Sequence, residues 1–470
     1  MNTKTKGIIL TVVIGQILLI VGLLALPRVV MAIPGRYRVA LEERSPFLSE
    51  IAEEVIHQVA PAVTALPAPN FSTERPQITI PSSIAAAINE PTVVPTATAR
   101  PTEAPIESPA EEAETEETAE DIPTSTPEPT STPEPTPTPT LEPRPSAYRI
   151  EGVQRIQQAF NNCGPANLTQ VLNWHGDTTT QDVAAAYLKP NPEDRNVSPW
   201  QLSDYVNDFT LLRSTVHSNG NLEMLKQFIA NDLPVVVEKG YEPNTPGALG
   251  WFGHYLTVFG YDDDLEEFYG MDTYLTVADP ARGQANSYAD IEYYWQHFNY
   301  QFYVVYEPGQ EELVNQILGP ELLDPLTMWE GAAVRAQEAI DEDPENAFAW
   351  FNLGTALTHM GKITGNLEFY ENGATAFDEA RVISLPPRML WYEHQMYFAY
   401  MRVGRYQDMI DITDTILAEQ GGQNVEETYL YRGHALLYLG DVAGAAAAYT
   451  RALELNENFY PAQIALDSIS

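Results

Sequence analysis

The sequence predicts a multidomain chain: an N-terminal transmembrane helix, a disordered Thr/Pro-rich linker, an α+β domain and an all-α solenoid of helical repeats. Three observations predict this order. Residues 7–26 form an apolar run of about the length that crosses a hydrocarbon core. Many of the 37 prolines crowd between Pro91 and Pro145. Beyond Glu311 the period-two alternation of strands gives way to helical periodicity. The expected boundaries are 1–32 for a cytoplasmic head with anchor or signal, 33–85 for a juxtamembrane segment, 86–146 for the linker, 147–309 for the α+β domain and 310–470 for the repeats.

Lys4 and Lys6 precede the apolar run, as expected of a segment that inserts with its N-terminus inside. Val30-Met31-Ala32 offers a small-residue pattern for signal cleavage. The expectation is therefore a single-pass cell-membrane protein whose bulk is extracytoplasmic, or a secreted one if cleavage follows Ala32. Downstream, Ser45 and Pro46 open a short helix with Phe47, Leu48, Ile51, Val55 and Val59 on one face. Between Pro91 and Pro145 the chain is Thr, Pro, Glu and Ala with few apolar anchors, so it cannot offset its ordering entropy. Fully extended at ~3.1 Å per residue, that stretch would act as a stalk on the order of 100 Å long.

Charge excludes a class of function. With 65 acidic against 25 basic residues the formal net charge is −40, a field that repels nucleic acid. The single cysteine, Cys163, excludes an intrachain disulfide and a four-thiolate zinc site. No HExxH motif occurs, and Asp262-Asp263-Asp264 lacks the EF-hand spacing, so neither a metal nor another cofactor is expected.

Within the α+β domain, Asn162-Cys163-Gly164-Pro165-Ala166 leads into Leu168, Val171 and Leu172 at helical spacing. Cys163 thus stands at a helix start, where unpaired N–H groups and the helix dipole favour a thiolate. Residues 253–261 alternate as a strand that puts His254 at its beginning, within range of a general-base role. Residues 274–278 read as a second strand delivering Asp279 at its end, and residues 233–238 as another strand. An acid there would hold the imidazole in the right tautomer, completing a Cys-His-Asp arrangement.

These motifs, in this order, resemble those of the bacteriocin-processing, double-glycine-leader cysteine peptidases and their stand-alone peptidase C39-like relatives, which share the papain-like fold. The resemblance covers about residues 147–308. It implies Cys163 as nucleophile, His254 as general base, Asp279 as orienting acid, and an oxyanion-hole glutamine before the cysteine. Gln157 has the expected six-residue spacing, with Gln158 as the alternative. The bacteriocin-processing members carry an ABC transporter that this chain lacks, and the motif is also similar to that of plant-type phytochelatin synthases. Leader cleavage is therefore not implied, and hydrolysis against acyl transfer stays open.

Beyond residue 310, Trp350, Leu353, Gly354, Leu357, Phe377, Ala380 and Pro386 follow the tetratricopeptide pattern with about seven extra residues around 361–366. Tyr429, Gly433, Leu436, Gly440, Ala445, Tyr449 and Ala452 follow it without insertion. Tyr397, Tyr400, Gly404 and Tyr406 mark a weaker copy, and Ala332, Ala336, Ala339 and Pro344 an upstream half-unit. Such arrays bind a peptide or partner protein, or brace a neighbouring domain. The expected activity is that of a membrane-anchored cysteine hydrolase on a peptide or protein amide. The rival expectation is an inactive peptidase-like scaffold whose repeats assemble proteins at the cell surface.

Overall fold

The computed structural model describes residues 65–69, 141, 143–242, 250–275, 277, 279, 281–419 and 421–470. The apolar run at 7–26, the short helix after Ser45 and nearly all of the Pro-rich linker lie outside the described residues. Residues 1–80 and 143–470 make one compact unit and 81–142 another; apart from residue 141, everything below belongs to the first.

Its centre is a seven-stranded antiparallel sheet in the order β2-β7-β3-β4-β5-β6, with β1 also on β4. The strands are β1 (Ala147–Arg149), β2 (Arg213–His217), β3 (Val235–Tyr241), β4 (Phe252–Asp262), β5 (Glu267–Met271), β6 (Gln284–Ser287) and β7 (Phe302–Tyr306). β3 and β7 are buried nearly end to end because both faces of the sheet are covered, which suits their Val-Val-Val and Phe-Tyr-Val-Val-Tyr runs. β4 is long enough to pair with β3 over its first half and with β5 and β1 over its second. The expected strands at 253–261 and 233–238 correspond to β4 and β3.

The expected strand at 274–278 does not form: described residues there lie outside any strand, and the partner of β4 is β5, which ends at Met271. The reason is local. Asp272 accepts hydrogen bonds from the N–H groups of Tyr274 and Leu275, 2.7 and 2.8 Å away, and so turns the chain out of the ladder.

Five helices cover the sheet: α1 (Cys163–Trp174), α2 (Gln181–Leu188), α3 (Pro199–Phe209), α4 (Leu222–Ala230) and α5 (Tyr288–Gln296). The periodic Leu168, Val171 and Leu172 of α1 pack on Val236, Tyr255, Tyr303 and Val305 of the sheet. α1 is thereby pinned with its first residue over the β4 rim.

The helical array follows as α6 (Glu311–Leu323), α7 (Pro325–Glu342), α8 (Ala347–Thr364), α9 (Leu367–Ile383), α10 (Gln395–Arg402), α11 (Tyr406–Ala418), α12 (Glu426–Tyr438), α13 (Val442–Leu455) and α14 (Tyr460–Asp467). Its small residues sit at close crossings. A Cβ on Gly354 would come 2.8 Å from the Phe377 ring, and one on Gly433 2.3 Å from the Tyr449 ring. The extra residues around 361–366 lengthen α8, whose 18 residues run to Thr364.

This array is fastened to the sheet domain. Asn352 donates to the Gln296 carbonyl at 2.6 Å, Asn299 donates to the Asn352 carbonyl, and Phe348 stacks on His297 at 3.7 Å. At the far end Asn456 donates to the Leu188 carbonyl. A stretch from the N-terminal side joins it too: Leu66 is buried, and the Pro67 carbonyl accepts from Arg381 of α9.

Candidate active site

Cys163 is the first residue of α1 and is half-buried. No side chain caps this helix and its first turn carries no acid, so the first-turn N–H groups and the positive dipole end act on the sulfur undiluted. His254, 3% exposed, is the third residue of β4. Its Nε2 lies 3.1 Å from both carboxylate oxygens of Asp272, which leaves Nδ1 as the nitrogen for Cys163.

The charges follow from these contacts. Burial would raise the Cys163 thiol, but the hydrogen bond and charge of His254, then Lys189 and the Tyr255 backbone, outweigh it and lower its pKa. For His254, burial works against the proton, while the charge and hydrogen bond of Asp272, joined by Cys163, raise it to about 9. Asp272, despite its burial, is brought to about 2 by His254 and by the N–H groups of Leu275 and Tyr274. These shifts all act toward thiolate, imidazolium and carboxylate, an arrangement suited to nucleophilic attack followed by proton donation.

Of the residues expected from sequence, Cys163 and His254 come together and Asp279 does not join them. Asp279 is exposed, and its carboxylate accepts the N–H of Ala281 within its own turn. The acid on the imidazole is Asp272, seven residues earlier, because the strand that pairs with β4 ends at Met271. Counting straight from the Asp262–Glu267 pair would set Thr257 opposite Asp272; a β-bulge between Val258 and Gly260 shifts the register so that Thr257 faces Met271 and Asp272 lies past the last pair.

The two glutamines also separate. Gln157 is exposed, and only its carbonyl is bonded, to the Gln181 side chain. Gln158 is docked instead, its N–H donating to the Thr273 carbonyl at 2.9 Å and its Oε1 accepting from the Thr273 hydroxyl at 2.8 Å. Thr273 adjoins Asp272, so Gln158 is the glutamine held beside the trio.

Sequence reasoning missed the side chains that hold this geometry. Asn167, one turn into α1, donates to the Cys163 carbonyl, the Tyr255 carbonyl and Thr273 Oγ1 at 2.9, 3.1 and 3.2 Å, and accepts from the Thr257 hydroxyl at 2.7 Å. Gln170 extends the network to Thr257 and the Met271 carbonyl. One buried network therefore ties α1, β4 and the Asp272 turn together. Lys189 donates to the carbonyls of Asn161 and Asp194, both at 2.9 Å, and so fixes the left-handed residue two before the cysteine. Burial lowers Lys189 to about 8, opposed by Asp194 and Cys163.

Rings of Tyr241, Phe252 and Tyr274 stand 6.2–6.5 Å from the His254 ring and wall the site. The helical array supplies a further wall. Tyr392 packs against Gly253, where a Cβ would come 3.0 Å from its ring, and burial followed by the Cys163 charge raises its hydroxyl.

Comparison with known proteins follows the same division. Residues 150–303 match the Peptidase_C39 like family, and residues 336–365 and 426–459 each match a tetratricopeptide repeat. A solved structure from Bacillus anthracis, described as a C39-like peptidase, is similar at 15% identity over 34% of this chain and 98% of its own, with a TM-score of 0.28. Comparison with curated proteins finds no match. The chain carries a peptidase C39-like domain followed by tetratricopeptide repeats.

Proposed function

We propose that the protein is a cysteine peptidase that cleaves an amide bond through Cys163, His254 and Asp272. The observation that carries this reading is the buried His254–Asp272 pair beside a thiol of lowered pKa at a helix start. In the reaction the Cys163 thiolate attacks the amide carbon, forming the C–S bond and an oxyanion. Collapse breaks the C–N bond while His254 gives its proton to the leaving amine. Water then adds to the thioester, His254 taking its proton, and the C–S bond breaks to release the acid. Gln158 Nε2 and the Cys163 backbone N–H are the donors proposed for the oxyanion. An amine replacing water in the second stage would make the same site a transferase.

The apolar run at 7–26 supports placement at a membrane with the bulk extracytoplasmic, and the repeats support a role in binding protein. Among the described residues no helix is long and apolar enough to cross a membrane. A peptide chloromethyl ketone tests the chemistry. It is expected to alkylate Cys163, read by intact mass, in the native chain and at least about 10²-fold more slowly in His254→Ala. Equal rates in the two proteins would leave an inactive scaffold as the better reading.

A further inference from the structure

The helical array holds a short piece of its own chain as a peptide. Residues 65–69, Ala-Leu-Pro-Ala-Pro, lie against it with Leu66 only 5% exposed. The Pro67 carbonyl receives two donors from one guanidinium, Arg381 Nε at 3.0 Å and Arg381 Nη2. Arg381 is itself built in. Its Nη1 donates to Tyr400 Oη at 3.0 Å and Asp408 Oδ1 at 3.1 Å, and its side chain is fully buried. Arg405 completes a two-arginine, two-aspartate cluster by bonding Asp378 and Asp408. These partners come from α9, α10, α11 and the turn between the last two, so the repeats themselves shape the receptor.

Two features mark this as recognition rather than incidental packing. With residues 65–69 taken away, the Nε and Nη2 donors of a buried arginine would have no other acceptor among the described residues, a costly arrangement. The peptide is also prepared for its site. Proline at 67 restricts Leu66 to extended backbone, and Pro69 does the same for Ala68, so little chain entropy remains to be lost on docking.

We infer that the repeats form a peptide-binding groove for an extended Leu-Pro segment, and that residues 65–69 of the same chain occupy it as an intramolecular latch. Chain on both sides of the Pro-rich stretch is then fastened to the same unit. On one side Arg381 holds Pro67. On the other Arg144 binds Glu223 at 2.7 Å and also Asp263. A tethered peptide faces its groove at an effective concentration in about the millimolar range when the connection is flexible, so even a weak contact stays occupied. An outside Leu-Pro peptide would have to displace it. This inference does not depend on the peptidase reading, and its test uses no enzymatic activity.

The experiment uses the full chain in detergent micelles with a protease site inserted between residues 100 and 130. After cleavage, the N-terminal fragment is expected to co-elute with the C-terminal fragment at one-to-one, monomeric size, and Leu66→Asp is expected to release it. A fluorescent peptide of residues 62–72 should bind the uncut Leu66→Asp chain at least about tenfold more tightly than the uncut native chain, whose groove is filled. Arg381→Lys, which keeps the charge but loses the two-pronged donor, should weaken that binding in the Leu66→Asp background. Release of the fragment from the cleaved native chain, or equal peptide binding by both uncut chains, would overturn the latch. Elution of the uncut chain as a dimer that Leu66→Asp dissolves would overturn the same-chain assignment in favour of exchange between two copies.

Discussion

Asp272 and Asp279 differ by seven positions, and the distinction decides which carboxylate steers the imidazole. Asp272→Asn is expected to slow acylation of Cys163 by roughly 10²–10⁴-fold, since it removes the charge that holds the His254 proton. Asp279→Asn should stay within about twofold, because its carboxylate serves only its own turn. The comparison is made by rate constants with the same chloromethyl ketone. Linkage gives a second check. Asp272 titrates near about 2 in the folded chain against 3.8 ordinarily, so between those values the unfolded chain binds more protons. Its stabilising contribution is therefore present above about pH 4 and lost as pH falls through about 2. Acid denaturation of Asp272→Asn should lack that part of the slope. Gln158→Ala is expected to cost about 10²–10³-fold in rate and Gln157→Ala little, read with the same probe. Cys163 and His254 were legible in the sequence because each sits at the start of an element whose periodicity announces it. Asp272 was not, because a Met-Asp-Thr-Tyr-Leu run looks like continuing strand and the bulge between Val258 and Gly260 that sets its register has no local pattern. The glutamine spacing left Gln157 and Gln158 both open, since spacing along the chain does not reveal which of two neighbours docks on Thr273.

At the scale of elements, α1, β4 and the turn after β5 are separate pieces of chain joined by Asn167 and Gln170. Asn167→Leu would remove a donor to the Cys163 and Tyr255 carbonyls and the acceptor of the Thr257 hydroxyl together. The expected loss is about 1–3 kcal/mol in urea unfolding, accompanied by slower alkylation of Cys163 as α1 loosens. A purely structural role would lower stability and leave the reactivity of the folded fraction unchanged. No periodicity in the sequence marks such a residue: an asparagine on a helix between apolar neighbours reads as a solvated position until the strand it faces is known. The repeats were easier to read. Gly354 and Gly433 are imposed by the crossing helices, and Phe377 and Tyr449 fill the space they leave.

Taken as a whole, the molecule joins its two domains more closely than the sequence alone implies. The composition change near Glu311 marks where strands stop and helices start, yet it carries no trace of Tyr392 reaching back to Gly253 or of Phe348 stacking on His297. Contacts between distant positions leave no local pattern. One consequence is that the array helps enclose the site. Tyr392→Ala should open the wall beside Cys163 and is expected to raise labelling by bulky thiol reagents more than labelling by iodoacetamide. Equal changes for the two reagents would argue against a steric role. The Cys163–His254 ion pair is read out by the pH dependence of iodoacetamide alkylation in the native chain, His254→Ala, Asp272→Asn and Asp279→Asn. Alkylation of the native chain and of Asp279→Asn is expected with an apparent pKa well below the ordinary thiol value of about 8.5, with a return toward that value in His254→Ala and Asp272→Asn. An ordinary thiol curve in the native chain, or a shift in Asp279→Asn with none in Asp272→Asn, would contradict the ion pair.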